Sequence, residues 1–210
     1  MRRAILCAVL VIVSVSSAFG NATEELLRAV QDKNTTPKNV QNLIKSGAYV
    51  NAKNNSGRTV LMYAVGSSNP EVIRTLLKAG ADIHAKDNNG DTALMYAVGS
   101  NSNPDVIHIL VDAGTDLNTR NDYGMTALMC AASHNSNPEV INALVKAGAD
   151  VNAKANLGET ALMCAAVVNS NPDKIRTLLK AGADIFVKDK FGFTALDYAK
   201  TDEIKRIILD

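Results

Sequence analysis

Three histidines, two cysteines beyond the N-terminal segment and the carboxylates, among them a regular series of aspartates, are the first candidates here to bind a metal ion or move a proton. A metal centre needs such ligands to converge on one point. Acid–base catalysis needs one asymmetric constellation of groups. The spacing supplies neither. His84 takes a turn slot held elsewhere by Asn51, Asn118 and Asn152, and His108 takes a solvent-side helix slot held by Arg74, Asn142 and Arg176. His134 is expected in a loop between helices. Asp82, Asp116, Asp150 and Asp184 recur once per 34 residues, as turn-formers do. Cys130 and Cys164 occupy equivalent positions of neighbouring repeats. Such positions lie on the order of 10 Å apart, beyond the ~7 Å Cα limit of a disulfide, so both read as small buried hydrophobes. No nucleophile elbow, H-E-x-x-H, P-loop or dinucleotide fingerprint occurs. The expectation is no catalytic residue, no metal ligand and no cofactor.

The elements that carry these residues follow from three series in one phase. All five prolines obey a single step: Pro37, Pro70, Pro104, Pro138 and Pro172. Gly47, Gly80, Gly114, Gly148 and Gly182 keep it, as do Gly57, Gly90, Gly124, Gly158 and Gly192. A fixed period of 33 to 34 residues is the signature of a repeat array. Asn-Pro-Glu/Asp starts a helix: Asn caps, Pro presets φ, and the acidic residue suits the dipole. Lys-Ala-Gly ends it at a position needing φ > 0. Val72, Ile73, Leu76 and Leu77 give that helix one apolar face. A short extended stretch, a Gly turn and a slimmer helix opening on Thr complete the unit.

The string Gly90-Asp91-Thr92-Ala93-Leu94, the helix ending Asp112-Ala113-Gly114-Thr115-Asp116 and the turn Gly148-Ala149-Asp150-Val151-Asn152-Ala153-Lys154 resemble an ankyrin repeat. The resemblance covers about residues 22 to 210. It implies an all-α ankyrin-repeat solenoid of helix-turn-helix units with β-hairpin-like turns, and a non-enzymatic protein-interaction role. The expected units are about 21–55, 56–88, 89–122, 123–156 and 157–190, with a C-terminal capping unit over 191–210. The family's T-P-L-H becomes T-A-L-M in three repeats, with Met95, Met129 and Met163 in place of the His.

Residues 1–20 read as a cleavable export signal. Arg2 and Arg3 precede an apolar run, Ala4 to Val15, too short to span ~30 Å of hydrocarbon. Cleavage is expected after Gly20 or after Ala18. The destination would be the periplasm or the exterior, and no later segment could span a membrane. Loss of two arginines takes Lys+Arg from 22 to 20 against 21 acidic residues, a net charge of −1. That balance offers nothing to nucleic acid.

In a repeat array recognition falls to the positions that vary. Those flanking the second glycine read Ser56/Arg58, Asn89/Asp91, Tyr123/Met125, Leu157/Glu159 and Phe191/Phe193. Tyr123, Met125, Leu157, Phe191 and Phe193 are thus expected to form an exposed apolar stripe that binds a protein partner. The concave inner-helix face, shaped by Gly66, Gly99, Ser133 and Val167, is expected to assist, with Ser67, Ser100, His134 and Val168 beside it. Phe191 and Phe193 could instead cap the stack. The rival readings are an exported enzyme or metal-binding accessory protein, or a structural spacer. The expected state is a monomer.

Overall fold

A computed structural model describes residues 20–66, 69–100, 103–168 and 171–210. The expected export signal, apart from Gly20, lies outside these residues, as does Ser67. Among the described residues the secondary structure is helical, with two isolated antiparallel bridges, Lys53 to Thr59 and Lys86 to Thr92, closing hairpin-like turns. No described helix is long and apolar enough to cross a membrane.

Two compact units are present, the first ending at Asp82 and the second spanning Ile83–Asp210. The first holds α1 (residues 20–29), α2 (Pro37–Lys45), α3 (Val60–Ala64) and α4 (Pro70–Lys78). Leu26, Val40, Val60, Ile73 and Leu76 bury their side chains there, where α4 packs on both α2 and α3.

The second unit holds α5 (Ala93–Ser100), α6 (Pro104–Asp112), α7 (Ala127–His134), α8 (Pro138–Lys146), α9 (Ala161–Val168), α10 (Pro172–Lys180), α11 (Ala195–Tyr198) and α12 (Asp202–Leu209). It is a two-layer stack. One layer runs α5, α7, α9, α11 and the other α6, α8, α10, α12, each helix touching its layer neighbour.

The starts of these helices follow the sequence logic. Asn69, Asn103, Asn137 and Asn171 each accept first-turn backbone N–H groups on Oδ1, and Pro follows at the first helical position. The slimmer helices open on Thr. Thr59, Thr92, Thr126 and Thr160 accept the N–H of the methionine three residues on, whose side chain is buried. The Met that stands where the family has His therefore fills the core.

Repeats are tied edge to edge by hydrogen bonds reaching one repeat ahead. In the second unit the N–H of Asp122 donates to Asn89 O at 3.0 Å, that of Asn156 to Tyr123 O at 3.0 Å and that of Lys190 to Leu157 O at 2.8 Å. Such close backbone approach leaves no room at the preceding glycine. A Cβ on Gly124 (φ +76°) would stand 2.6 Å from the Asn156 backbone nitrogen, whereas one on Gly114 (φ +86°) would meet nothing within 4 Å.

One buried position breaks the apolar pattern. Val72, Val106 and Val140 fill the third position of their helices, and Lys174 takes that place in α10 at 1% exposure. Its Nζ donates to Ala132 O in the last turn of α7 at 2.8 Å, satisfying a carbonyl that the helix end leaves free. Burial pushes the Lys174 ammonium below the ordinary lysine value.

Two outcomes follow for stability. Gly114→Ala should cost about 1 kcal/mol for its left-handed backbone alone, and Gly124→Ala about 3 kcal/mol or more, read from urea midpoints. Equal losses would contradict the steric account. For Lys174, the native chain releases its proton at lower pH than the unfolded chain. Unfolded chains therefore bind more protons above the lowered native value and below the ordinary 10.5. In that window wild-type stability should gain on Lys174→Met by up to about 1.4 kcal/mol per pH unit. A pH-independent difference would show the lysine titrates alike in both states.

A candidate apolar docking groove

Three turn tips of the second unit, those opening on Asp87, Asn121 and Asp189, are built by one device. An Asx oxygen at the start of the turn accepts two N–H groups, fixing the two residues that flank the glycine. Asn121 Oδ1 accepts from Tyr123 at 3.1 Å and Met125 at 2.9 Å, and Asp189 Oδ1 accepts from Phe191 at 2.9 Å and Phe193 at 3.0 Å. The tip-to-tip backbone bonds then place Tyr123, Leu157 and Phe191 in register on successive repeats. Tyr123 is 66% exposed, Leu157 47%, Phe191 66% and Phe193 50%. Met125 is half-buried.

These residues do not all meet. Tyr123, Met125 and Leu157 line one groove of about 610 Å³ with walls that are mostly apolar. Its floor comes from α9, through Met163, Cys164, Val167 and Val168. The turn stripe and part of the inner-helix face, through Ser133, Val167 and Val168, thus converge. Phe191 and Phe193 stand beyond its lining on the next tip. The Phe193 ring meets Tyr198 of α11 edge-on, with centroids 5.9 Å apart and planes at 68°, and Tyr198 itself lines the groove. His134 ends α7 and is not in a loop, because the helix runs to that residue before Asn135 turns extended. It lines a smaller hollow of about 220 Å³ with Tyr96 and Cys130. Among the described residues no three His, Cys, Asp or Glu side chains gather to hold a metal ion.

The family model for ankyrin repeats matches three times, over residues 26–121, 100–155 and 128–209. The chain belongs to the ankyrin repeat family. No curated protein matches the sequence as a relative.

Comparison of its own ankyrin repeats shows where the groove comes from. In the first slim helix Tyr63 accepts a hydrogen bond from Asn54 Nδ2 at 2.8 Å. In the next, Tyr96 O–H donates to Asp87 Oδ2 at 2.7 Å, and in the last Tyr198 O–H donates to Asp189 Oδ2 at 2.5 Å. This ring bridges helix and turn and fills the space between them. The two intervening repeats carry Cys130 and Cys164 in place of the tyrosine. The second of these also replaces the Asx by Ala155, leaving its turn to the backbone bonds of Ala155 and Glu159 alone. Both halves of the bridge are truncated in one repeat, and there the larger groove opens.

The ionisable groups around the groove take their character from burial and from the remaining bridge. Burial, with Asp91 nearby, pushes the Cys130 thiol up to about 12, and burial likewise raises Cys164. Both are free thiols and neither is poised as a nucleophile. Tyr198 is pushed up to about 12, first because its hydroxyl donates to Asp189. The same bond, ahead of the Phe193 and Phe191 N–H groups, holds Asp189 below the usual carboxylate range.

Sequence reasoning found the tips but missed Ala155, Cys164 and Tyr198. The signal was present: the slot reads Tyr63, Tyr96, Cys130, Cys164, Tyr198, and its partner Asn54, Asp87, Asn121, Ala155, Asp189. Restoring the bridge with Ala155→Asp and Cys164→Tyr together should close the groove. A double-mutant cycle should give a favourable coupling of about 1 kcal/mol. Additive single effects would mean the missing bridge is not what opens it.

Proposed function

We propose that this chain is a protein-binding module that takes an apolar segment of a partner into the groove between the 123–125 and 157–159 tips and α9. Ankyrin repeat proteins are in general protein–protein interaction modules and in general not enzymes. The convergence of Tyr123, Leu157, Val167 and Val168 on one open cavity carries the reading for this chain. Exposed aromatic and aliphatic side chains around a preformed concavity lower the ordering cost of association and offer anchor pockets. Phe191 and Phe193 extend the apolar edge beyond the groove. We also propose, from the character of residues 1–20, that the mature chain acts after export, in the periplasm or outside the cell.

Wild-type chain immobilised as bait should capture its partner from the exported fraction. A Tyr123→Ala, Leu157→Ala, Phe193→Ala variant should lose that partner by about tenfold or more while keeping its helical circular dichroism. Undiminished capture by the triple variant would reject the groove as the binding surface.

A further inference from the structure

Glu159 is the one acidic residue on the lining of the larger groove. Its Oε2 is shut away from solvent and accepts no hydrogen bond. A buried carboxylate oxygen in that state is strongly unfavourable, because water that would solvate it is excluded and nothing replaces it. The donors nearby are committed elsewhere. Tyr198 O–H donates to Asp189 at 2.5 Å, and Asn156 Nδ2 donates to Asp122 O at 2.7 Å. Arg120 is held by the turn, with Nε on Gly124 O at 3.1 Å and Nη2 on Asn156 Oδ1 at 3.4 Å. The three ion pairs found among the described residues lie elsewhere, on α4, α10 and the N-terminal helix. Glu159, Asp189 and Asp197 all bear on the Tyr198 hydroxyl, and Glu159 bears on Cys164, while the nearby cations are the Arg120 guanidinium on Asn156 and Lys188 beside Asp197.

An apolar cavity with an unanswered carboxylate on its wall fits a segment that is apolar and locally cationic. We infer that the groove takes a partner segment in which one arginine or lysine is flanked by apolar side chains. The flanking residues cover Tyr123, Leu157 and Val167, and the basic head pairs with the Glu159 carboxylate, whose half-buried side chain turns to bring Oε2 out to the donor. A long basic side chain suits this arrangement, since its methylene stem lies along apolar walls while its tip reaches the carboxylate. The inference rests on the groove being a docking surface, and it adds the sign of charge that the surface selects.

The test uses the purified chain and three fluorescein-labelled nonapeptide pools. Every position is apolar except the centre, which is Arg, Leu or Glu. By fluorescence anisotropy the Arg pool should bind wild type about tenfold or more tightly than the Leu pool, with the Glu pool weakest. Glu159→Gln should bring the Arg and Leu pools within about threefold of each other, and Glu159→Lys should place the Glu pool above the Arg pool. Should Glu159→Lys fail to fold, as circular dichroism would reveal, Glu159→Gln carries the test. The Ala155→Asp, Cys164→Tyr variant, with its groove filled, should bind none of the pools. Equal affinity of wild type for the Arg and Leu pools, or an unchanged ranking in the Glu159 variants, would overturn the charge preference while leaving apolar docking in place. Binding of no pool to wild type, or undiminished binding to the filled variant, would overturn both readings.

Discussion

The main-chain bond from one turn tip to the next constrains everything else in the second unit. When Asn156 N–H donates to Tyr123 O, and Lys190 N–H to Leu157 O, two turns are brought to backbone contact. That contact demands glycine at 124 and 158, where a Cβ would strike the neighbouring main chain. It also fixes the direction in which the residues flanking each glycine leave the turn. Side chains at 123, 157 and 191 are therefore free to vary in chemistry but not in position. Recognition can be rewritten there without touching the frame.

The frame has a second fixed element, the tyrosine bridge from slim helix to turn. Its loss in the repeat of Ala155 and Cys164 removes a ring and a carboxylate or amide from the same volume. Neighbouring bridges cannot fill the gap, since Tyr198 is held on Asp189. The groove is thus a vacancy in a regular pattern, its size set by what is missing. Hydrophobic side chains at 157, 167 and 168 make that vacancy unfavourable to leave in water.

The repeat phase, the helix starts and the caps were legible in the sequence because each rests on local chemistry: Asn-Pro, Lys-Ala-Gly and the Thr that opens each slim helix; the end of α7 at His134, which carries no such signal, was not. The exposed tips were legible because they vary against that frame. The groove was not, because it depends on two truncations nine residues apart, at 155 and 164, meeting across a turn. Cysteine read alone is a small hydrophobe; only against Tyr63, Tyr96 and Tyr198 is it an absence. Lys174 escaped for the opposite reason. A lysine near a helix start reads as solvent-facing, and only the carbonyl of Ala132 explains its burial.

The ties between repeats reach about one period along the chain; even Lys174 to Ala132 spans only 42 residues. Chains with such short-range contacts close small loops as they fold, so assembly can begin in any unit and spread. The same locality lets opening proceed stepwise, repeat by repeat, from an end. A segment seated across the tips at 123 and 157 and on α9 would bridge two neighbouring repeats at once. Occupancy would then be felt as slower fraying of the repeats on either side, a mechanical clamp as well as a recognition event.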